Sequence, residues 1–244
     1  MIQGIYLATQ AMTIQTQKQD QVANNLANLN TAGFKQSSLF ARAYQRTVAD
    51  EKLHPYANRE IKADECLVDY REGQMRKTGS PLDVMIKGSG FFTAMTSEGV
   101  RYTRNGNFAL DPDGFLIAFD GSKVLGKEGF IRFDGKGDIR INERGEIYQG
   151  EQHKGTLRIA DFRKPYRLLR EQNTMLRPQL PDNPEIQSAG FTVNQGYLEG
   201  SNVELIKNMV AMISSQRAFE ADSKALQAQD QTLDKAVNQI GRVG

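Results

Sequence analysis

Residues able to do chemistry are sparse in this chain, and each arrangement of them lacks a part. Gly121-Ser122-Lys123-Val124-Leu125-Gly126-Lys127 fits the first part of a phosphate-binding loop, G-x-x-x-x-G-K. The next position must be Ser or Thr to hold Mg²⁺ and is Glu128. The residues after it read as another strand, not as the helix whose amino end would face the phosphates. Asp111, Asp113 and Asp120 are spaced like calcium-loop ligands, but the glycine comes too early, at Gly114, and Ser122 stands where a bidentate Glu is required. Gly88-Ser89-Gly90 is not a G-x-S-x-G elbow, and only His54 and His153 are available as an imidazole base. No two His or Cys residues have metal-ligand spacing. The single Cys66 lies among charged residues and can form no internal disulfide. The expectation is a chain that is not an enzyme, with no cofactor, no metal and no small-molecule substrate.

The bulk composition narrows the class. Of 244 residues, 25% are charged and 39% hydrophobic, enough for one or two folded domains. The net charge of +2 gives no reason to expect nucleic acid as a partner. No apolar run reaches the roughly 18 residues of a membrane span, so no membrane insertion is expected. The first basic residue is Lys18, so a cleaved signal peptide is not expected either.

Two segments have a helical period. In 201–240, Leu205, Met209, Met212, Phe219, Leu226, Leu233, Val237 and Ile240 fall on a heptad stripe that no Pro or Gly interrupts. Such a helix would be roughly 60 Å long. Ser201 with Glu204 three residues on reads as a capping box at its start. At the other end, Ile5, Ala8, Met12, Val22, Leu26 and Leu29 form a second stripe, with Gln15 and Gln19 in its middle. Asn30-Thr31-Ala32-Gly33 stops this segment, Gly33 supplying a left-handed residue. Residues 1–30 hold two charges, Lys18 and Asp20, and ten Gln or Asn. A solvent-washed helix usually carries Lys and Glu. An amide-rich face instead suits burial against neighbours, where it exchanges hydrogen bonds without burying charge.

Between these segments the pattern changes. Residues 37–75 mix charges with no sustained period and read as an extended linker, with some helix expected within 39–50. From 79 to 191, short apolar runs alternate with turns such as Asn105-Gly106, Asp113-Gly114, Asp120-Gly121 and Asp134-Gly135. Asn-Gly and Asp-Gly pairs accept positive φ and mark hairpins. The expected fold is α+β: terminal helices, 1–36 and 200–244, forming a coiled-coil-like bundle, a linker over 37–75, and an inserted all-β domain over 76–199 of sandwich or barrel type.

These residues also carry a family resemblance. Asn24-Asn25-Leu26-Ala27-Asn28 followed by Thr31-Ala32-Gly33-Phe34-Lys35 resembles the N-terminal block of bacterial flagellar axial proteins, the rod and hook subunits of the basal body. Gly73, Thr78-Gly79, Leu82-Asp83-Val84 and Gly88-Ser89-Gly90-Phe91-Phe92 resemble the start of that family's β domain, and Tyr102-Thr103-Arg104-Asn105-Gly106-Asn107-Phe108 its next block. Gly196-Tyr197-Leu198-Glu199-Gly200-Ser201-Asn202-Val203 and Met212-Ile213-Ser214-Ser215-Gln216-Arg217-Ala218-Phe219-Glu220 resemble its C-terminal helix. Residues 37–71 and 134–190 match no block, and Asp222 stands where these proteins often have Asn.

The resemblance implies a structural subunit that polymerises helically into the periplasmic rod, the drive shaft between motor and hook. It also implies export through the flagellar type III apparatus without cleavage, and contact with further copies and with other rod and hook proteins. The short length and Val124-Leu125-Gly126 ahead of Gly129-Phe130-Ile131 resemble proximal-rod members more than distal-rod or hook-type ones. The assembly residues it implies are those of the seams, Ile5, Met12, Val22, Leu26, Leu29, Leu205, Met209, Met212, Phe219, Leu226 and Leu233, with the amides Asn24, Asn25 and Asn28. A reading from another class is a non-flagellar ligand-binding β domain dimerised by a coiled coil; a monodisperse dimer that binds a small ligand would favour it.

Overall fold

The computed structural model describes residues 2–45, 59–135, 137–171, 174–179, 184–188 and 190–240. The fold is α+β: helix α1 (Ile2–Ala27), β structure, then helix α2 (Leu205–Ile240). It divides into a helical unit, Met1–Ala27, Gln36–Asp69 and Glu204–Gly244, and a β-rich unit, Asn28–Lys35 and Tyr70–Val203.

In the helical unit α1 and α2 run antiparallel, since Gln15 meets Ser215 and Asn25 meets Asn208. The unit also contains β1 (Ser37–Gln45) and β2 (Arg59–Val68). These pair antiparallel from Ser37 opposite Val68 to Gln45 opposite Arg59, with a bulge between Phe40 and Ala41. The sequence suggested a linker with some helix here. Residues 39–45 are strand instead, because a two-stranded ribbon is held by its backbone ladder and needs no apolar period to form. The rest of the suggested helix, 46–50, lies outside the described residues.

The β-rich unit is built from strands of two to six residues. Its main sheet runs in the order Leu168–Arg170, Leu176–Pro178, Gly99–Thr103, Phe91–Thr96, Lys123–Gly126, Leu116–Ile117, Ala109–Leu110. This path has two free ends, so among the described residues it closes no barrel, contrary to the barrel-like expectation. Strands this short, broken by turns, cannot wrap continuously. Smaller antiparallel sets flank it: Val84–Gly88 with Phe191–Gln195, and Met75–Lys77 with Tyr197–Glu199. Val84, Met85 and Ile86 are all buried, as are Phe91, Phe92, Thr93 and Ala94. These continuous runs are covered on both faces: Val84, Ile86, Phe92 and Ala94, with Leu116, Val124, Ile131, Ile147, Leu157 and Val193, make the main core, and Phe91 packs in a second cluster with Tyr102, Ala160, Phe162, Leu168 and Leu176. Close backbone approach fixes one turn of the unit. A Cβ at Gly106 would lie 1.7 Å from the Val84 carbonyl oxygen, whose residue's amide donates to Gly106 O at 2.9 Å.

Candidate functional site

The helical unit places the expected seam residues in two different environments. On α1, Ile5, Met12, Val22 and Leu26 are half-buried. On α2, Phe219, Leu226 and Leu233 are half-buried, but Leu205 (46%), Met209 (51%) and Met212 (37%) are exposed. Ile206 (76%), Val210 (57%) and Ile213 (53%) lie beside them and are also exposed. The side chains of Val237 and Ile240 lie outside the described set.

What α2 buries instead is polar: Asn208 and Ser215. Asn25 of α1 is 1% exposed and anchors the start of β1 as a backbone would. Its Nδ2 donates to Ser37 O at 2.8 Å and its Oδ1 accepts from Ser37 N at 3.1 Å. The same Nδ2 reaches Asn208 Oδ1 at 3.4 Å, and Asn208 Nδ2 donates to Glu204 O at 2.9 Å. Ser215 Oγ donates to Gln15 O at 3.0 Å, and Gln19 Nε2 to Gln216 Oε1 at 3.4 Å. Buried amides with partners cost little, whereas orphaned ones cost about 1–3 kcal/mol each. Asn24 is exposed. Ile14, which the heptad reading passed over, is the one buried apolar side chain of this unit among the described residues.

The expected caps act differently. Helix α1 ends at Ala27, and the turn after it is closed by Asn28, whose carbonyl accepts from Thr31 N at 3.2 Å and whose Oδ1 accepts from Thr31 Oγ1 at 3.1 Å. Leu29 follows, half-buried. Gly33 is left-handed (φ 68°) but caps no helix. Its amide donates to Glu199 O at 2.8 Å, and a Cβ there would meet Asn105 N at 2.3 Å. Ser201 Oγ accepts from Val203 N at 3.3 Å, while the Glu204 carboxylate takes Lys207 at 2.7 Å. Two separate local contacts therefore replace the reciprocal capping box, because α2 begins only at Leu205, with Glu204 O accepting from Asn208 N.

The β-rich unit holds a buried ion cluster that sequence reasoning did not single out. Glu199 is 0% exposed and pairs with Lys35 (3%) and Arg104 (5%). The Arg104 bond to its Oε2 is 3.4 Å, and Gly73 N donates to its Oε1 at 2.9 Å. Lys35 Nζ also donates to Arg71 O at 2.7 Å, and Arg104 to Ile86 O at 3.1 Å and Gly88 O at 2.5 Å. Burial pulls the Lys35 ammonium below its ordinary pKa, against the opposing pull of Glu199. The cluster gathers three of the sequence blocks: Lys35 ends the first, Arg104 sits in the block from Tyr102 to Phe108, and Glu199 sits in the block from Gly196 to Val203. Charged residues inside those blocks were the available signal.

The fragments that resembled catalytic parts are engaged in turns. Lys127 and Glu128 are the two-residue loop of a hairpin in which Gly126 faces Gly129. Asp111 Oδ1 accepts from Phe115 N at 2.7 Å, and Asp120 Oδ1 accepts from Ser122 N at 3.1 Å and its Oγ at 2.6 Å. His153 packs edge-on against Tyr148, and His54 lies outside the described residues. No described helix is long and apolar enough to cross a membrane.

Two long helices, one at each end of a β-rich stretch of sequence, with α2 burying polar side chains and exposing apolar ones, define the class as an α+β chain with long helical termini. Comparison with known proteins agrees with that class. Three family models match in order: flagella basal body rod protein over 5–35, flagellar hook protein FlgE/F/G D1 domain over 85–149, and flagellar basal body rod FlgEFG protein C-terminal over 194–240. Among relatives, the flagellar basal-body rod protein FlgG of Borreliella burgdorferi is 31% identical over 263 residues, covering 98% of each chain. The rod protein FlgF of Rhizobium meliloti is 30% identical over 242 residues, also covering 98% of each, and FlgF of Caulobacter vibrioides is 29% identical over 251 residues, covering all of both. The chain belongs to the flagellar basal-body rod protein family.

Proposed function

We propose that this chain is a structural subunit of the flagellar basal-body rod, polymerising helically with copies of itself and with other rod and hook proteins into the shaft that transmits torque from motor to hook. The observation that supports this most is on α2, which turns Asn208 and Ser215 inward and leaves Leu205, Ile206, Met209, Val210, Met212 and Ile213 in water. A soluble monomer gains nothing by exposing six large apolar side chains on one helix, whereas a subunit that buries them on assembly gains roughly 1.5–3 kcal/mol for each.

In this reading the terminal segments, 1–36 and 200–244, form the inner tube with coiled-coil-like packing, and residues 76–199 form an outer layer. The chain leaves the cell uncleaved through the flagellar type III export apparatus and acts in the periplasm, with no catalysis. Within the rod we favour the proximal segment over the distal, on the short length and the Val124-Leu125-Gly126 block. The test is deletion of the gene, followed by imaging of purified basal bodies. The expected result is a truncated or absent rod, restored by the full chain at its uncleaved mass. Complete rods and normal swimming in the deletion strain would overturn the reading.

A further inference from the structure

We infer that residues Asn28–Lys35 are a charge-gated strap: they dock on the β-rich unit only when the Glu199 carboxylate is in place, and they alone come away when that charge is missing. The inference does not depend on the rod reading. The strap belongs to the β-rich unit, yet the chain on both sides of it, Met1–Ala27 and Gln36–Asp69, belongs to the helical unit. Its own contacts must therefore hold it in place.

Those contacts converge on one residue. Glu199 ends the strand Tyr197–Glu199 and faces Met75 in the paired strand. Its carbonyl accepts from Gly33 N at 2.8 Å, and its carboxylate pairs with Lys35. Between these two, Phe34 is 1% exposed and lies 4.1 Å, at its ring centroid, from the Arg170 guanidinium. The Phe34 carbonyl accepts from Asn202 N at 3.4 Å. Phe34 belongs to neither apolar cluster of the unit, so releasing the strap leaves both clusters packed. Openings of that kind are local events, separate from global unfolding.

Charge makes the docking conditional. A docked strap brings the Lys35 ammonium into the same buried cluster as the Arg104 guanidinium. Besides Glu199, the two cations hydrogen-bond only to backbone carbonyls among the described residues: Arg71 O for Lys35, and Ile86 O and Gly88 O for Arg104. Arg104 Nε is buried and finds no hydrogen-bond partner among the described residues. Glu72, the other carboxylate that acts on Lys35, is exposed and accepts from Gly88 N, so solvent screens it. Two buried cations without their carboxylate are strongly unfavourable. Lys35 is made 164 residues before Glu199. Until that carboxylate arrives, Lys35 is better solvated in water, which keeps the N-terminal segment off the β-rich unit until the chain is nearly complete.

Amide exchange on three full-length chains tests this: native, Glu199→Gln, and Glu199→Gln with Lys35→Met. Glu199→Gln keeps the shape of the side chain and leaves the two cations unmatched. The Gly33 amide should then exchange roughly 100-fold or more faster than in the native chain. The amides of the strand Phe91–Thr96 should stay protected in the same sample. Adding Lys35→Met removes the surplus cation, and Gly33 should return to within about tenfold of its native protection. The inference is overturned if Gly33 stays protected in Glu199→Gln, if Phe91–Thr96 loses protection along with it, or if Lys35→Met restores nothing. That last result would mean that the shape of the Glu199 side chain, and not its charge, holds the strap.

Discussion

Among the described residues, the β-rich unit fully buries large apolar side chains such as Phe34, Phe91, Phe92, Ile86, Leu116 and Ile147, whereas those buried in the helical unit are Ile14, Asn25, Ser37, Asn208 and Ser215. The first set is what a self-sufficient domain buries. The second is an amide and hydroxyl network around one isoleucine, with the apolar surface facing out. Hydrophobic burial stabilises the β-rich unit within a single chain. In the helical unit Leu205, Ile206, Met209, Val210, Met212 and Ile213 stay in water, so that part of the driving force is not realised within the single chain. In the proposed assembly, the first part is complete as a monomer and the interior of the second is completed by its neighbours.

Each unit also has a buried polar centre, Glu199 with Lys35 and Arg104 in one and Asn25 with Asn208 in the other, and removing these centres tests the contrast. Glu199→Ala should have the largest effect. It leaves Lys35 and Arg104 as buried cations without their carboxylate, a loss of about 3–5 kcal/mol, read as a lowered thermal transition of the β-rich unit. A transition that does not move would mean the cluster is not part of that unit's stability.

Asn25→Ala should cost about 1–3 kcal/mol by removing the two hydrogen bonds its amide makes with the Ser37 amide and carbonyl. Its effect should stay in the helical unit: amide exchange at Ser37 accelerates while the β-rich transition is unchanged. A shifted β-rich transition would argue against separate units.

Gly33→Val sharpens the boundary between the units. A left-handed valine costs about 1–2 kcal/mol, and its Cβ would press on the Asn105 amide. Because Gly33 belongs to the β-rich unit and not to the end of α1, the loss should appear in the β-rich melt while helical content is retained. Lost helicity with a normal β-rich melt would restore the capping role.

The smallest effect is one of pH. Burial and Glu185 push the Tyr102 hydroxyl up to about 12; burial and the hydrogen bond to Asp161 do the same to Tyr166. A raised folded pKa contributes stability that is complete below the ordinary value of 10.0 and is lost as pH climbs toward 12. Lys35, held low by burial, acts in the opposite sense up to its ordinary 10.5. The tyrosine loss should therefore show cleanly between pH 10.5 and 12. Tyr102→Phe with Tyr166→Phe should flatten that decline in melting temperature. An unchanged slope would mean these hydroxyls do not govern it.

Much of this was legible in the residues. The two helices announce themselves by period, and the Asn-Gly and Asp-Gly pairs locate the turns because few other residues accept their backbone angles. Three things were not. A heptad stripe says that a face is apolar but not whether its own chain or another covers it, so Leu205, Met209 and Met212 looked like partners of α1. The strands Ser37–Gln45 and Arg59–Val68 are the longest pair among the described residues, but their alternation (Leu39, Ala41, Ala43; Ile61, Ala63) is short and set among charges, so it read as a linker. And Lys35, Arg104 and Glu199 look like surface charges one at a time; only the fold brings positions so far apart in sequence onto one buried carboxylate.

Methionine oxidation reads the central claim directly, because susceptibility to oxidation follows exposure. In the monomer Met209 is 51% exposed, whereas Met85 in the β-rich core is 3% exposed. Peroxide footprinting of the purified monomer and of intact rods, read by mass spectrometry, compares them side by side. The account predicts that Met209 oxidises readily in the monomer and is protected in the rod, while Met85 is protected in both. Oxidation of Met209 at the monomer rate in intact rods would contradict it.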